Sequence, residues 1–303
     1  MTGTNICNYR VHEKLGEGGM GTVYRGEDLR LGRDVALKFL SPRLQTNEWA
    51  RQRFAYEARA AAVVNHPNVC RIYDFLEADP EVFIVMALLE GPDLGSYVAN
   101  GSLRTPQKLE LAAQVADGLA AAHCCGVIHL DVKPSNVIVT SKGRPVLIDF
   151  GIASSPGAGT VAHQKTTAGT AAYMSPEQVN GDAVDCRSDV WSLGVVLYEL
   201  LVGQLPFRGK YRQAIAYSIL NEEPESSTIA NESPYVSSRL KTILGKTLAK
   251  DPGERYSSAE EFATDLRDLS YFMWKNRLDT VGARTHIASL ASPCGLSRSA
   301  SPM

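Results

Sequence analysis

The glycine-rich run Gly16-Glu17-Gly18-Gly19-Met20-Gly21 fits the pattern G-x-G-x-x-G and passes straight into Thr22-Val23-Tyr24. Unrelated phosphate-binding loops share that pattern, so its context decides. In a dinucleotide fold it opens a helix, whereas Thr, Val and Tyr favour an extended chain. The Gly-Lys-Ser/Thr ending of a Walker loop is absent. The run therefore joins two antiparallel strands. Its glycines let backbone N–H groups approach phosphate oxygens with no Cβ in the way. A glycine-rich hairpin without a ligand is the alternative for this run taken alone.

Strand signals flank the loop. Tyr9–Leu15, Thr22–Gly26 and Val35–Leu40 read as short strands separated by turn residues. Glu48–Val64 reads as a helix with Phe54, Ala58, Ala61 and Asn65 on one face. Val69–Leu76 and Val82–Leu88 read as two more strands around Ala78-Asp79-Pro80. The expectation is one five-stranded antiparallel sheet with one main helix over residues 9–89. Beyond Gly91 the pattern becomes helical: Gln107–Cys125, stopped by Gly126, then Val190–Val202, Tyr211–Leu220, Ser237–Leu248 and Ala259–Tyr271. The fold class is α+β, with a small β-rich lobe and a larger, mostly α-helical lobe over residues 90–270. Ser, Ala, Pro and Gly dominate from about Lys275, so residues 271–303 are expected to form a linker or flexible tail.

Composition narrows the partners. The 303 residues suit about two domains or lobes. A net charge of −2 supplies no global field for nucleic acid or an anionic membrane, so phosphate chemistry has to be local. Six cysteines follow no disulfide spacing and the first thirty residues hold no signal peptide, which makes a reducing cytoplasm the simplest compartment. Val190–Val202 is the longest apolar stretch, but Ser192 and Glu199 interrupt it and it is too short to span a bilayer. It reads as a buried central helix, leaving no membrane segment.

Two charged residues are expected to point inward. Period two places Ala36 and Lys38 on one face of their strand, the small residue leaving room for a flat ring one pleat from the ammonium. Glu57 shares the apolar face of the next helix with Phe54 and Ala61. A carboxylate there needs a cation, and Lys38 is the obvious partner.

The ordered set of motifs resembles the eukaryotic-like (Hanks-type) protein kinases, most of all the bacterial Ser/Thr branch, over about residues 9–270. Gly16-x-Gly18-x-x-Gly21-x-Val23 and Val35-Ala36-Leu37-Lys38 match the family's nucleotide loop and phosphate-binding lysine, and Glu57 its helix partner. His129-Leu130-Asp131-Val132-Lys133-Pro134-Ser135-Asn136 matches the catalytic loop, Asp149-Phe150-Gly151 the metal-binding triplet, and Ser175-Pro176-Glu177 the end of the activation segment.

The resemblance implies a bilobal protein-kinase-like fold and ATP-dependent γ-phosphoryl transfer to Ser/Thr hydroxyls of protein substrates. Autophosphorylation through a transient homodimer belongs to the same expectation. Such transfer needs a positioned hydroxyl and a divalent metal, with little covalent help from the protein. Asp131 would orient the hydroxyl and accept its proton, and Lys133 would reach the transferring group. Asn136 and Asp149 are oxygen ligands suited to Mg²⁺, with Mn²⁺ as a substitute. Lys38 would hold the α and β phosphates. By resemblance Val23, Ala36 and Ile138 sandwich adenine, Met86 guards the pocket, and Ala87 to Leu89 form the hinge. Gly169-Thr170-x-x-Tyr173 matches the peptide-binding segment, Asp189 would brace the catalytic loop, and Arg255 would pair with Glu177.

Three positions depart from the family pattern. Leu130 stands where many members carry an Arg that binds an activation-loop phosphate. Activity is therefore expected not to depend strictly on that phosphate, with Thr166 and Thr167 the leading autophosphorylation sites ahead of Ser154, Ser155 and Thr160. Ser135 replaces an acidic residue of arginine-directed kinases, and Ala87 an acidic hinge residue. A pseudokinase or nucleotide-binding scaffold is the main alternative, disfavoured because Lys38, Asp131, Asn136 and Asp149 are all present. A small-molecule kinase is disfavoured by Ser175-Pro176-Glu177. A zinc module of His123, Cys124, Cys125 and His129 lacks ligand spacing.

Overall fold

The computed structural model describes residues 2–150, 171–225 and 233–290, with side chains through residue 276. Gly151, Ser154, Ser155, Thr160, Thr166, Thr167, Gly169 and Thr170 lie outside the described residues.

The first lobe is built on strands β1 (Asn5–Ile6), β2 (Tyr9–Glu17), β3 (Gly21–Asp28), β4 (Arg33–Leu40), β5 (Ile72–Ala78) and β6 (Glu81–Ala87). They form one antiparallel sheet in the order β1-β2-β3-β4-β6-β5. The sheet thus has six strands where five are expected from sequence. The extra one is a two-residue edge strand pairing Ile6 with Tyr9, with Cys7 at the turn in the left-handed region (φ 51°). Two residues are too few to show a period-two pattern.

β4 is buried on both faces, which explains its nearly unbroken apolar run. Val35, Leu37 and Phe39 pack against Tyr9, Val11 and Phe83 on one face. Ala36 and Leu40 face helix α2 (Glu48–Ala62), which follows the short helix α1 (Pro42–Gln45). Asn47 caps α2 by accepting from the Ala50 N–H. Its inward stripe is Ala50, Phe54, Glu57, Ala58 and Ala61. Burying Phe54 completely contributes about 2–3 kcal/mol of hydrophobic stabilisation. Asn65, expected on that stripe, lies beyond the helix end and is exposed. The β-branched pair Val63-Val64 and the following His66-Pro67 stop the helix before it.

The second lobe contains α3 (Leu94–Asn100), α4 (Thr105–Cys124), the hairpin β7 (Val137–Val139) and β8 (Pro145–Leu147), α5 (Pro176–Asn180), α6 (Cys186–Val202), α7 (Arg212–Asn221), α8 (Pro234–Thr247) and α9 (Ala259–Leu290). Gly126 closes α4 as expected: φ is 73° and its N–H donates to the His123 carbonyl. α6 is buried nearly all round, with Trp191 stacked on Phe207 at 5.3 Å. Arg267 pairs with Asp117 to tie α9 to α4. α9 does not end near Tyr271 but runs to Leu290, so the stretch expected as tail begins as helix. Residues 272–290 contain no Pro and a single Gly, Gly282, so nothing in the local sequence breaks the helix. No described helix is long and apolar enough to cross a membrane.

Candidate active site

The sheet and α2 deliver the first pair of charges. Lys38 sits on β4 opposite Val23 of β3 and Ile84 of β6, its side chain on the face toward α2. Its Nζ donates to Glu57 Oε1 at 2.9 Å and to Asp149 Oδ1 at 2.9 Å. Burial alone would lower the Lys38 ammonium, but Asp149 and Glu57 outweigh it and hold it above the ordinary lysine range. Burial, joined by the nearby Asp149 charge, pushes the Glu57 carboxyl up, and Lys38 opposes both. The expected pairing of Lys38 with Glu57 is present, with Asp149 as a third member.

The second lobe delivers the other half. Lys133 Nζ donates to Asp131 Oδ2 at 2.7 Å and Oδ1 at 3.0 Å. Asn136, on a 3₁₀ turn begun by Pro134, donates through Nδ2 to the Asp131 backbone carbonyl and to Oδ2, both at 2.9 Å. The Ile148 N–H donates to the Asn136 carbonyl, so the β7–β8 hairpin sets the loop bearing Asn136 beside the chain leading to Asp149. Asp149 has a φ of 55°, a left-handed conformation that a non-glycine residue adopts at some cost. Phe150, beside it, is buried against the His129 ring at 4.6 Å.

The loop that carries Asp131 is held by a buried carboxylate on α6. Asp189, fully buried on α6, accepts from the N–H groups of His129 and Leu130 at 2.8 and 2.7 Å and pairs with His123 Nε2 at 2.8 Å. His129 Nε2 donates to the Ile148 carbonyl, so Nδ1 is the acceptor for the Asp131 N–H. Burial keeps the His129 imidazole below its ordinary pKa, in keeping with this neutral tautomer. Both histidines of the zinc alternative are thus engaged in bracing this loop. Arg255 donates to Glu177 Oε1 and Oε2 at 2.7 and 2.8 Å, and Ser188 Oγ donates to Oε1 at 2.6 Å.

The predicted adenine side chains divide between the lobes. Val23, Ala36, Met86, Ala87 and Leu89 gather on the sheet around one apolar cluster, with Ala36 opposite Met86 in the ladder. Ile138 lies on β7, partly exposed. A small cavity behind Met86 reaches Lys38, Glu57, Cys70 and Phe150, and burial pushes the Cys70 thiol up to about 12. The glycines of the loop differ in role. A Cβ at Gly16 or Gly18 would meet nothing within 4 Å, whereas one at Gly21 would lie 1.8 Å from the Phe39 carbonyl oxygen. Gly21 is therefore glycine for packing against β4, and Gly16 and Gly18 leave open space above the sheet.

Sequence reasoning missed Gln178, whose side chain donates through Nε2 to the Leu130 carbonyl at 3.0 Å. It follows Glu177 directly, so the motif's edge was the available signal. It also missed Ser188 on Glu177 and the bond from Tyr173 Oη to Glu199.

The donor set fits a nucleotide–metal complex. Asp149 and Asn136 offer a carboxylate and an amide oxygen, the ligand types that a hard divalent cation takes alongside phosphate and water. Lys38 supplies a fixed cation, and a Cβ at Gly16 or Gly18 would meet no atom within 4 Å.

Comparison with known proteins agrees. The family model for the protein kinase domain matches residues 9–272. The chain is 38% identical over 261 residues to the serine/threonine-protein kinase PrkC of Bacillus subtilis, covering 86% of this chain and 40% of that protein. It is 40% identical over 265 residues to the serine/threonine-protein kinase PknB of Mycobacterium tuberculosis, covering 85% and 42%. It thus spans about two fifths of the length of these relatives. The crystal structure of the Mycobacterium tuberculosis PknI kinase domain superposes with a TM-score of 0.70 at 30% identity, covering 89% of this chain and 98% of that one. With sequence, fold and site geometry concurring over the same residues, the chain belongs to the protein kinase domain family, of the bacterial Ser/Thr type.

Proposed function

We propose that this chain transfers the γ-phosphoryl group of ATP to Ser and Thr hydroxyls of protein substrates, its own included. The observation that carries this reading is a pair of charged sets whose segments are joined where the Ile148 N–H donates to the Asn136 carbonyl at 2.9 Å. Lys38, Glu57 and Asp149 are joined by 2.9 Å bonds, and Asp131, Lys133 and Asn136 by bonds of 2.7–3.0 Å.

In this reading Asp131 accepts the hydrogen bond of the incoming hydroxyl and takes its proton as the new P–O bond forms and the bond from the γ-phosphorus to the β–γ bridging oxygen breaks, with ADP leaving. Lys133, already on the Asp131 carboxylate, offsets negative charge on the transferring phosphoryl oxygens. Lys38 holds the α and β phosphates, with Glu57 keeping the ammonium aimed. Gly16, Gly18 and Gly21 carry the loop over the phosphates. Val23, Ala36 and Ile138 enclose adenine, with Met86 behind it and Ala87 to Leu89 presenting backbone groups to its edge. Asn136 and Asp149 would hold Mg²⁺, or Mn²⁺ in its place, and the bound metal supplies charge neutralisation across the phosphates.

The five described cysteines are free, which suits the reducing cytoplasm where ATP is abundant. Autophosphorylation brings two copies together transiently, one as enzyme and one as substrate.

The test is incubation of the purified chain with labelled ATP, Mg²⁺ and a generic basic protein, followed by phosphosite mapping, with Asp131→Asn and Asp149→Asn alongside. Label on Ser and Thr that both substitutions abolish is the expected result. Nucleotide binding without transfer by the unsubstituted chain would favour a scaffold instead.

A further inference from the structure

We infer that Gln178 is a positioning residue for Asp131, holding the Leu130–Asp131 peptide through a neutral bond where a charged phosphate–arginine link is ruled out. The inference rests on the reading of Asp131 as the group that orients the substrate hydroxyl.

The peptide between Leu130 and Asp131 is gripped at both ends. Its carbonyl accepts from Gln178 Nε2 at 3.0 Å, and its N–H donates to His129 Nδ1 at 3.3 Å. Leu130 has a φ of 61°, a conformation disfavoured for a side chain branched beyond Cβ, and its own N–H is taken by Asp189 Oδ1. A peptide in such a conformation persists only where its surroundings fix it. The plane of this peptide sets the direction in which Asp131 leaves the backbone, so a rotation displaces the carboxylate from Lys133 and Asn136.

The amide of Gln178 can face only one way. Its Oε1 accepts from the Ser175 N–H at 3.0 Å and from Ser175 Oγ at 3.2 Å, closing a capping box at the start of α5. With the oxygen so engaged, the NH₂ group is turned to the Leu130 carbonyl. One side chain thus joins the segment that follows the activation loop to the catalytic loop. An arginine at position 130 would offer a cation to a phosphate; Leu130 offers only its backbone, and Gln178 takes it.

Gln178→Glu separates the two halves of this arrangement. A carboxylate still accepts from Ser175 and keeps the cap, but sets a second oxygen against the Leu130 carbonyl. The variant is expected to fold with a melting temperature lowered by no more than about 10 °C, to keep its KM for ATP, and to lose between about ten- and a hundredfold in kcat, as displacements of reacting groups do. Protonation would turn that oxygen into a donor, so the ratio of variant to wild-type kcat should rise as pH is lowered from about 7 to about 5, toward the ordinary Glu value of about 4.3. Hydrogen exchange of the peptide containing residues 129–131 should accelerate in the variant. Exchange is read without turnover. If wild type transfers no phosphoryl group, the functional reading fails, while faster exchange in the variant still supports the grip on the peptide. Unchanged exchange overturns the inference whatever the activity. Wild-type kcat in the variant likewise overturns it, as does a kcat ratio that is flat with pH.

Discussion

Lys38 Nζ and Asp149 Oδ1, 111 residues apart in the chain, lie 2.9 Å from each other, and the same ammonium reaches Glu57 Oε1 at 2.9 Å. The contact joins the β-rich lobe to the segment that would bind metal. Lys38 and Glu57 are both buried, so removing the cation strands a carboxylate in an apolar setting. Lys38→Met is expected to abolish phosphoryl transfer and to cost about 3 kcal/mol of stability. Lys38→Met combined with Glu57→Leu should recover most of that stability and none of the activity. Urea denaturation with a transfer assay checks both; a double variant no more stable than the single one would contradict this account.

Glu177 and Arg255 form a second buried pair, 78 residues apart. Burial would raise the Glu177 carboxyl, but the bonds from Arg255 and Ser188 overcome it and hold its pKa below the ordinary range. A depressed carboxylate contributes stability that is fully present above its unfolded pKa, about 4.3, and is lost as pH falls through the folded value. Arg255→Met should cost about 3–5 kcal/mol at neutral pH, because it leaves Glu177 buried and unpaired. The loss should shrink in acid, as pH falls from about 4.3 through the lower folded value and Glu177 protonates. Denaturation midpoints of wild type and variant across that range decide it. A cost that does not change with pH would show that packing, not charge, dominates.

Lys38 and Glu57 were legible in the sequence because each lies in a run whose geometry is fixed by its neighbours. Period two places Lys38 beside Ala36, the helical stripe places Glu57 beside Phe54, and the short spacing from Asp131 to Asn136 confines those groups to one loop. Asp131, Lys133, Asn136, Asp149, Asp189 and Arg255 were legible only through the family pattern, since nothing local marks a catalytic or bracing side chain. The remainder depends on contacts between distant backbone and side-chain atoms. Gln178 meets a carbonyl 48 residues away, and carbonyls carry no sequence signature. β1 escaped notice for want of length, and residues 272–290 of α9 because Ser and Ala further on suggested a tail. A helix already nucleated by packing on α4 extends cheaply through them.

His129 gives a separate acid signature. Its imidazole is fully buried and neutral, with a pKa held down by burial against the opposing pull of Asp189 and Asp131. A depressed histidine contributes stability present in full above its unfolded pKa, about 6.5, and lost as pH falls from there through the folded value. Wild-type stability should therefore begin to decline below about pH 6.5, well before the carboxylates titrate. His129→Phe keeps the contact with Phe150 and removes the titration, so its stability should be flatter between about pH 6.5 and 5. Equal slopes for the two proteins in thermal melts would rule His129 out as the cause.

Leu130 makes a prediction about regulation. Its backbone is fixed by bonds to Asp189 and Gln178, neither of which requires a phosphate. A Thr166→Ala/Thr167→Ala variant should keep kcat within about threefold of wild type, less than the tenfold that about 1.4 kcal/mol of barrier represents. Leu130→Arg, by contrast, adds a cation beside the loop whose charge is left without a fixed partner until a phosphate arrives, and its activity should fall on phosphatase treatment. A double alanine variant that folds but transfers nothing would refute the neutral-link account.

The glycine loop separates packing from binding. A Cβ at Gly21 would sit 1.8 Å from the Phe39 carbonyl oxygen, a contact that only backbone movement between β3 and β4 can relieve. Gly21→Ala should therefore destabilise the lobe by about 1–3 kcal/mol, the usual cost of overpacking. At Gly18 a Cβ meets nothing within 4 Å, so Gly18→Ala should leave stability within about 0.5 kcal/mol of wild type. Its methyl group would instead project where phosphate oxygens approach the backbone, raising the KM for ATP several-fold with little change in kcat. Melting temperatures and ATP titrations on the two variants separate these effects. A Gly18→Ala protein with normal ATP affinity would mean that the phosphates do not lie against this loop.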